Sequence, residues 1–259
     1  MLTTLAFSMS KTQKHTGEGV YHIQQGQQLE RIFVEKTKTA YDPSELSRAL
    51  TVADDQQLLN RAICALQRGP VRYHRNNVVV CEGDPADYMF LVVSGTVRTC
   101  RTYQTGNRSI IAFYLPGDLL GWTNSAKHSL SVEAATDAIV VFFKRRALLS
   151  IASRESRIAS SLLAATTNEL RRTQEHALLI SKSAGCRVAT FLTDLWTRLG
   201  KTKQIDLPMS HQDIADHLGL TIETVSRVIT NMERSGLVRR VSHQKLILQN
   251  RLALEQMVK

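Results

Sequence analysis

The spacing of apolar positions changes character four times along the chain. Up to about residue 50 it has little period: "QQGQQ" and "KTKTAYDPSE" are polar, and only Leu29–Val34 suggests a short helix. From Thr51, "TVADDQQLLNRAICALQRG" places Leu58, Ala62 and Leu66 at helical intervals behind a capping threonine. The next block, from Val71, breaks into short β-branched and aromatic runs. They are separated by Gly83-Asp84-Pro85, Ser94-Gly95, Gly106-Asn107 and Pro116-Gly117-Asp118, which predicts consecutive hairpins in a small barrel or sandwich. "SLSVEAATDAIVVFFK" adds two strands ending near Lys144.

From Arg145 neither glycine nor proline appears for about forty residues. Ile151, Ile158, Leu162, Ala165, Leu170, Leu178 and Leu179 form a seam interrupted by Glu169 and Arg172. This predicts one long helix, either lying across the barrel or pairing with its copy. A helix of ~30 residues would be ~45 Å long, and that length favours the pair. Gly185 is expected to break it. A second apolar face then follows on Val188, Phe191, Leu192, Leu195 and Leu199, and "LVRRVSHQKLILQN" alternates like a hairpin.

Between these lies "MSHQDIADHLGLTIETVSRVITNMERSGLV". Ser210 is an N-cap with Asp213 near N3, Gly219 permits a turn, and Thr221 caps a second helix reaching about Ser235. Two short helices across a glycine-containing turn make a helix-turn-helix. On a wheel of ~100° per residue, Glu223, Ser226, Arg227 and Thr230 share one side. Val225, Val228, Ile229 and Met232 share the other. Arginine donates to guanine O6 and N7, glutamate accepts from cytosine N4, and serine fits beside a thymine methyl. Glu223 and Arg227, four apart, are also expected to pair.

Composition narrows the class. The 259 residues suit one or two domains, and 43% hydrophobic content predicts a globular chain. The net charge of +10 favours an anionic partner. It is spread over the chain, with 22 basic against 16 acidic residues up to Lys182 and 11 against 7 beyond, so charge does not locate a binding face. Cys64, Cys81, Cys100 and Cys186 fit no zinc or iron–sulfur spacing and read as reduced thiols, Cys81 and Cys100 within strands. No apolar run reaches the ~20 residues of a membrane span, and the N-terminus has no secretory pattern, Met9 being an alternative start. The expectation is a soluble cytoplasmic protein. No nucleophile–base motif, phosphate loop or metal cluster points to an enzyme.

Three segments carry a family resemblance: "EGDPADYMFLVVSGTVR", "LPGDLLG" and "SHQDIADHLGLTIETVSRVITNMERSGLV". Over roughly residues 55–255 the chain resembles the cyclic-AMP receptor protein/FNR superfamily of bacterial transcription regulators. The resemblance implies an α+β chain: a flexible extension over 1–50, a β-roll sensor-like domain over 51–144, a dimerisation helix over 145–182, and a winged helix-turn-helix over 183–259. It implies a homodimer on double-stranded DNA, read by Glu223, Ser226 and Arg227 with Thr221, Thr230, Ser210 and His211 in support. RNA polymerase is the protein partner by family analogy, and no membrane is involved. The E-x-x-S-R form, with Ile222 where the receptor branch has arginine, implies the FNR/FixK reader and TTGA-type half-sites. The FixK-like branch implies an activator in an oxygen- or nitrogen-related circuit.

The sensor departs from the receptor pattern. Trp122 stands where a ribose-binding glutamate is expected, and Lys127-His128-Ser129 lies near the place of the Arg-Ser phosphate pair. No cysteine occurs before Cys64 to hold an iron–sulfur cluster. The expectation is therefore neither cyclic AMP, nor that cluster, nor a haem on His74 or His128. Cys186, beside Arg187 at a helix start, reads either as redox-active or as an inert buried thiol. The competing reading of the whole chain is a metabolite- or redox-responsive regulator whose β-roll binds an effector and whose C-terminal domain contacts protein.

Overall fold

The computed structural model describes residues 69–258 except Lys203 and His243, together with Leu59, Ala62, Ile63 and Leu66. The extension over 1–50, the helix expected at Leu29–Val34, Leu58 and Cys64 lie outside the described residues. Leu59, Ala62, Ile63 and Leu66 are helical, with Leu59 and Ile63 fully buried. Ala62 and Leu66 of the expected row pack half-buried against the same core, with Leu59 and Ile63 at its centre.

Eight strands make the first body: β1 (Pro70–Tyr73), β2 (Val78–Val80), β3 (Tyr88–Ser94), β4 (Val97–Thr102), β5 (Arg108–Tyr114), β6 (Leu119–Leu120), β7 (Ser131–Ala134) and β8 (Ala138–Lys144). They form two antiparallel four-stranded sheets, ordered β1-β8-β3-β6 and β2-β7-β4-β5. Along β3 the faces alternate. Phe90 and Val92 enter the core of the roll, while Met89, Leu91 and Val93 face Leu148, Ile158 and Leu162 of the following helices. Both faces are covered, so "MFLVV" reads as a continuous apolar run. Gly95 turns β3 into β4 at φ +75°, where a Cβ would lie 2.1 Å from the Asp137 carbonyl oxygen. Only glycine fits there. Cys100 is buried in β4, but Cys81 is half-buried beyond the end of β2, outside any strand, correcting that expectation.

The expected single helix is two: α1 (Arg145–Ala152) and α2 (Ser156–Leu179). Ser153 Oγ donates to the Ser150 carbonyl, and Glu155 is extended at φ −122°. The run Ser153-Arg154-Glu155 offers the sheet no apolar side chain, whereas Leu148 before it and Ile158 after it are both buried against that sheet. A break lets both reach it. Nor does Gly185 end the long helix. It lies inside α3 (Ala184–Arg198), whose N-cap Ser183 accepts from the Cys186 amide at 3.3 Å.

Beyond α3 come β9 (Gln204–Asp206), α4 (His211–Leu218), α5 (Ile222–Arg234), β10 (Val238–Ser242), β11 (Lys245–Leu248) and α6 (Arg251–Val258). The wing is a three-stranded sheet, β10-β11-β9, rather than the expected bare hairpin. One continuous core joins Val188, Leu192, Ile214, Val225 and Ile229 to Ile110 and Phe113 of the roll, so the helix-turn-helix is packed onto β5.

Candidate nucleic-acid interface

The first helix of the pair is closed by its own sequence. Ser210 Oγ accepts from the Asp213 amide, and the Asp213 carboxylate accepts from the Ser210 amide, both at 3.1 Å. This is a reciprocal capping box. Gly219 ends α4 in the left-handed conformation at φ +62°. Thr221 then starts α5, its Oγ1 accepting from the Thr224 amide at 3.2 Å.

α5 is divided by burial as the wheel predicts. Val225, Ile229 and Met232 are buried, whereas Glu223 and Arg227 are exposed. Glu223 lies at the positive end of the helix. Hydrogen bonds from its own backbone amide and from the Thr221 side chain hold its carboxyl below the usual range. Ile222 beside it is 39% exposed, a large apolar side chain on the reading edge.

The remaining candidates stand differently. Among the described residues no ion pair joins Glu223 to Arg227, so the expected i, i+4 pair is not formed. In α5 arginine and glutamate extend separately into solvent, where such a pair offsets little of the side-chain entropy it costs. Ser226 is half-buried. Thr230 Oγ1 donates to the Ser226 carbonyl at 2.9 Å and accepts from Arg240 Nη2 at 3.4 Å, which ties it to the wing. Ser210 and Thr221 use their hydroxyls as caps, and His211 opens α4, half-buried.

Cys186 is 8% exposed, its Sγ 4.0 Å from the Val258 carbonyl of α6. The neighbouring Arg187 does not face it. Its guanidinium donates to the carbonyls of Ile180, Leu218 and, at 3.4 Å, Gly219, while its Nε donates to Lys182. Those carbonyls end α2 and α4, where a cation is favoured. Cys186 is thus a buried thiol with the Arg187 guanidinium bonded elsewhere.

Sequence reasoning missed the residues that hold α4. Arg98 (β4), directly opposite Glu133 (β7) in register, donates to the Glu133 carboxylate and, through Nη1, to Asp213 Oδ1 at 2.8 Å. Arg108 (β5) donates through Nη2 to Asp213 Oδ1 and Asp216 Oδ2, both at 2.8 Å. The side chains of Arg98 and Asp213 are each 3% exposed. At the other end of α4 the His217 ring stacks on His176 of α2, centroids 4.3 Å apart, between Phe113 and Phe191. Its Nδ1 lies 3.0 Å from the Ile110 carbonyl. Burial, then His176, pushes the imidazole down to about 3, so it is neutral. The only prior signal was two arginines in a strand run, with nothing to name their partners about a hundred residues on.

A cyclic nucleotide's phosphate needs a cation and its ribose an acceptor. Trp122 turns its Nε1 to the Leu119 carbonyl at 3.1 Å. His128 is buried against Phe90, its Nε2 has no partner among the described residues, and burial lowers its pKa. At these two positions the side chains are an indole bonded to backbone and a buried imidazole. Among the described residues no cluster of His, Cys, Asp and Glu could hold a metal, and no helix is long and apolar enough to cross a membrane.

Comparison with known proteins agrees with this architecture. Residues 70–155 match the cyclic nucleotide-binding domain family and residues 186–257 the Crp-like helix-turn-helix domain family. The nitrogen fixation regulation protein FixK of Azorhizobium caulinodans is 39% identical over 83% of this chain and 88% of its own length. The transcriptional activatory protein AadR of Rhodopseudomonas palustris is 37% identical over 65% of this chain and 72% of its own. Among solved structures, FixK2 from Bradyrhizobium japonicum superposes with a TM-score of 0.70 at 37% identity, covering 73% of this chain and 96% of that one.

Proposed function

The chain belongs to the Crp/FNR family of transcription regulators, in its FixK-like branch, and from that premise we propose that it reads a palindrome of TTGA-type half-sites as a dimer. The observation that carries this is α5. Glu223 and Arg227 stand exposed at the start of a helix whose opposite face is buried. The N-terminal end of a recognition helix is what meets base edges. Arg227 suits guanine and Glu223 suits cytosine. Ile222 offers an apolar contact and no second guanidinium, which favours the TTGA reading over the receptor branch. Ser210 and His211, at the start of α4, stand where a helix end favours a phosphate. Thr221 and Thr230 shape the two ends of the reading face.

The dimer pairs through α2. Leu163, Leu170 and Leu178 are 68%, 57% and 70% exposed at intervals of seven and eight residues, near a heptad seam. In this reading the protein works in the cytoplasm, contacts RNA polymerase, catalyses no reaction, and takes neither cyclic AMP nor an iron–sulfur cluster. The circuit in this reading is oxygen- or nitrogen-related, which the names of relatives, a nitrogen fixation regulation protein and an anaerobic regulatory protein, support. Selection of bound sequences from random DNA tests the reading. Enrichment of paired TTGA half-sites is expected, and enrichment of unrelated sequence, or of none, overturns it.

A further inference from the structure

α4 carries two carboxylates next to the helix that reads DNA, and neither is left to solvent. Asp213 holds the N-terminal cap through Oδ2 and receives Arg98 and Arg108 through Oδ1. Asp216 receives Arg108 through both Nε (3.0 Å) and Nη2. Glu133 backs both arginines, at 2.7 Å from Arg98 and 3.5 Å from Arg108. The β4–β5 hairpin of the roll thus grips the first helix of the DNA-binding unit by charge-assisted bonds. A forked guanidinium fixes direction as well as distance.

That grip is transmitted. α4 and α5 are separated by three residues and share the core of Ala215, Leu218, Val225 and Ile229, so α5 turns with α4. The clasp leaves Glu223 and Arg227 exposed, so it does not mask the reader. In a dimer, the two recognition helices must enter successive major grooves about 34–36 Å apart. Their separation follows from how each DNA-binding unit is set against the roll that carries the dimer helix.

We propose that Arg98 and Arg108 are positioning residues for DNA reading. By clasping Asp213 and Asp216 they set the spacing at which the two recognition helices of a dimer meet a palindrome. The inference rests on the DNA-reading proposal above, and its test separates the two. Full-length wild type, Asp216→Ala, Asp216→Glu, Arg108→Gln and the Arg108→Gln, Asp216→Ala double variant are titrated on three DNAs: the palindrome selected by wild type, the same half-sites with the spacer changed by one or two base pairs, and a single half-site. Alanine favours the helix and removes a negative charge near DNA. Electrostatics alone would therefore tighten binding of Asp216→Ala to all three.

Positioning predicts the opposite on the palindrome: about tenfold weaker binding for Asp216→Ala and Arg108→Gln, within the range of couplings between sites. It also predicts little change on the half-site, reduced spacer discrimination, recovery in Asp216→Glu, and a double variant no worse than the weaker single. Equal loss on all three DNAs, or unchanged or tighter palindrome binding by Asp216→Ala, overturns the proposal. Weaker binding by Arg108→Gln alone also overturns it, since Arg108 would then touch phosphate itself. If wild type ignores TTGA palindromes altogether, it is the DNA-reading proposal that fails.

Discussion

α4 and α5 lie side by side, each capped by a hydroxyl and each amphipathic, yet their charges have opposite fates. In α4 the side chain of Asp213 is 3% exposed and that of Asp216 13%, and both are bonded to arginines from another part of the chain. In α5 Glu223 and Arg227 stand in solvent with no ion pair between them. A charge already neutralised inside the protein holds geometry and has nothing left to offer a ligand. A charge left outside is hydrated at small cost and keeps its hydrogen-bonding capacity for base edges. The pair therefore divides the labour of one motif: one helix is held, and the other, in the proposed function, reads.

The largest effect that would break this contrast is expected for Asp213→Ala. It removes the capping box and leaves the buried Arg98 with one partner fewer. Removing one member of a buried pair costs about 3–5 kcal/mol, which thermal or urea unfolding would register. A change near zero would show that α4 is held by its apolar face alone. Arg227→Ala is expected to leave unfolding unchanged and to cost about 1–3 kcal/mol on the specific site, with less on random DNA. Equal losses on both DNAs would take base reading away from Arg227.

Acid is expected to act on the held helix. In the unfolded chain a histidine titrates near ~6.5, and in the fold His217 is pushed down to about 3 by burial and by His176. Arg198 opposes its protonation as well, while the Ile110 carbonyl favours it. The unfolded state thus binds the extra proton between those values. Stability from this ring is whole above ~pH 6.5 and drains as pH falls toward 3, by at most ~1.4 kcal/mol per pH unit. His217→Phe should flatten that part of a stability–pH profile, and an unaltered slope would place the titration elsewhere. Smallest is Thr221→Ala, expected to cost about 1 kcal/mol through the lost cap. It should weaken specific binding while leaving the clasp intact, read as thermal stability beside DNA affinity.

What could be read before folding follows the range of the forces. Caps, turns and the two-faced pattern of α5 are local, since Ser210, Gly219 and Thr221 act on amides within about four residues. Hence the helix-turn-helix was legible to nearly its observed bounds. The turns of the roll were legible for the same reason, but their pairing was not: only β4–β5, across Gly106-Asn107, is a hairpin, whereas Gly95 carries the chain from one sheet to the other. The break at Ser153–Glu155 was not, because it depends on Leu148 and Ile158 sharing one sheet, and neither was the start of α3, where a glycine signal outweighed the Ser183 cap. β9 was missed because three residues gain strand character only beside β11.

The sequence alone determined which residues of α5 face outward and which helix ends close, because those depend on period and on neighbours a turn away. Only the tertiary structure decided that Arg98 and Arg108 meet Asp213 and Asp216, that His217 is stacked on His176, and that Cys186 lies under α6. Such contacts join positions far apart in the chain. Nothing in their local pattern names a partner until the roll, the long helix and the reader are packed on one core.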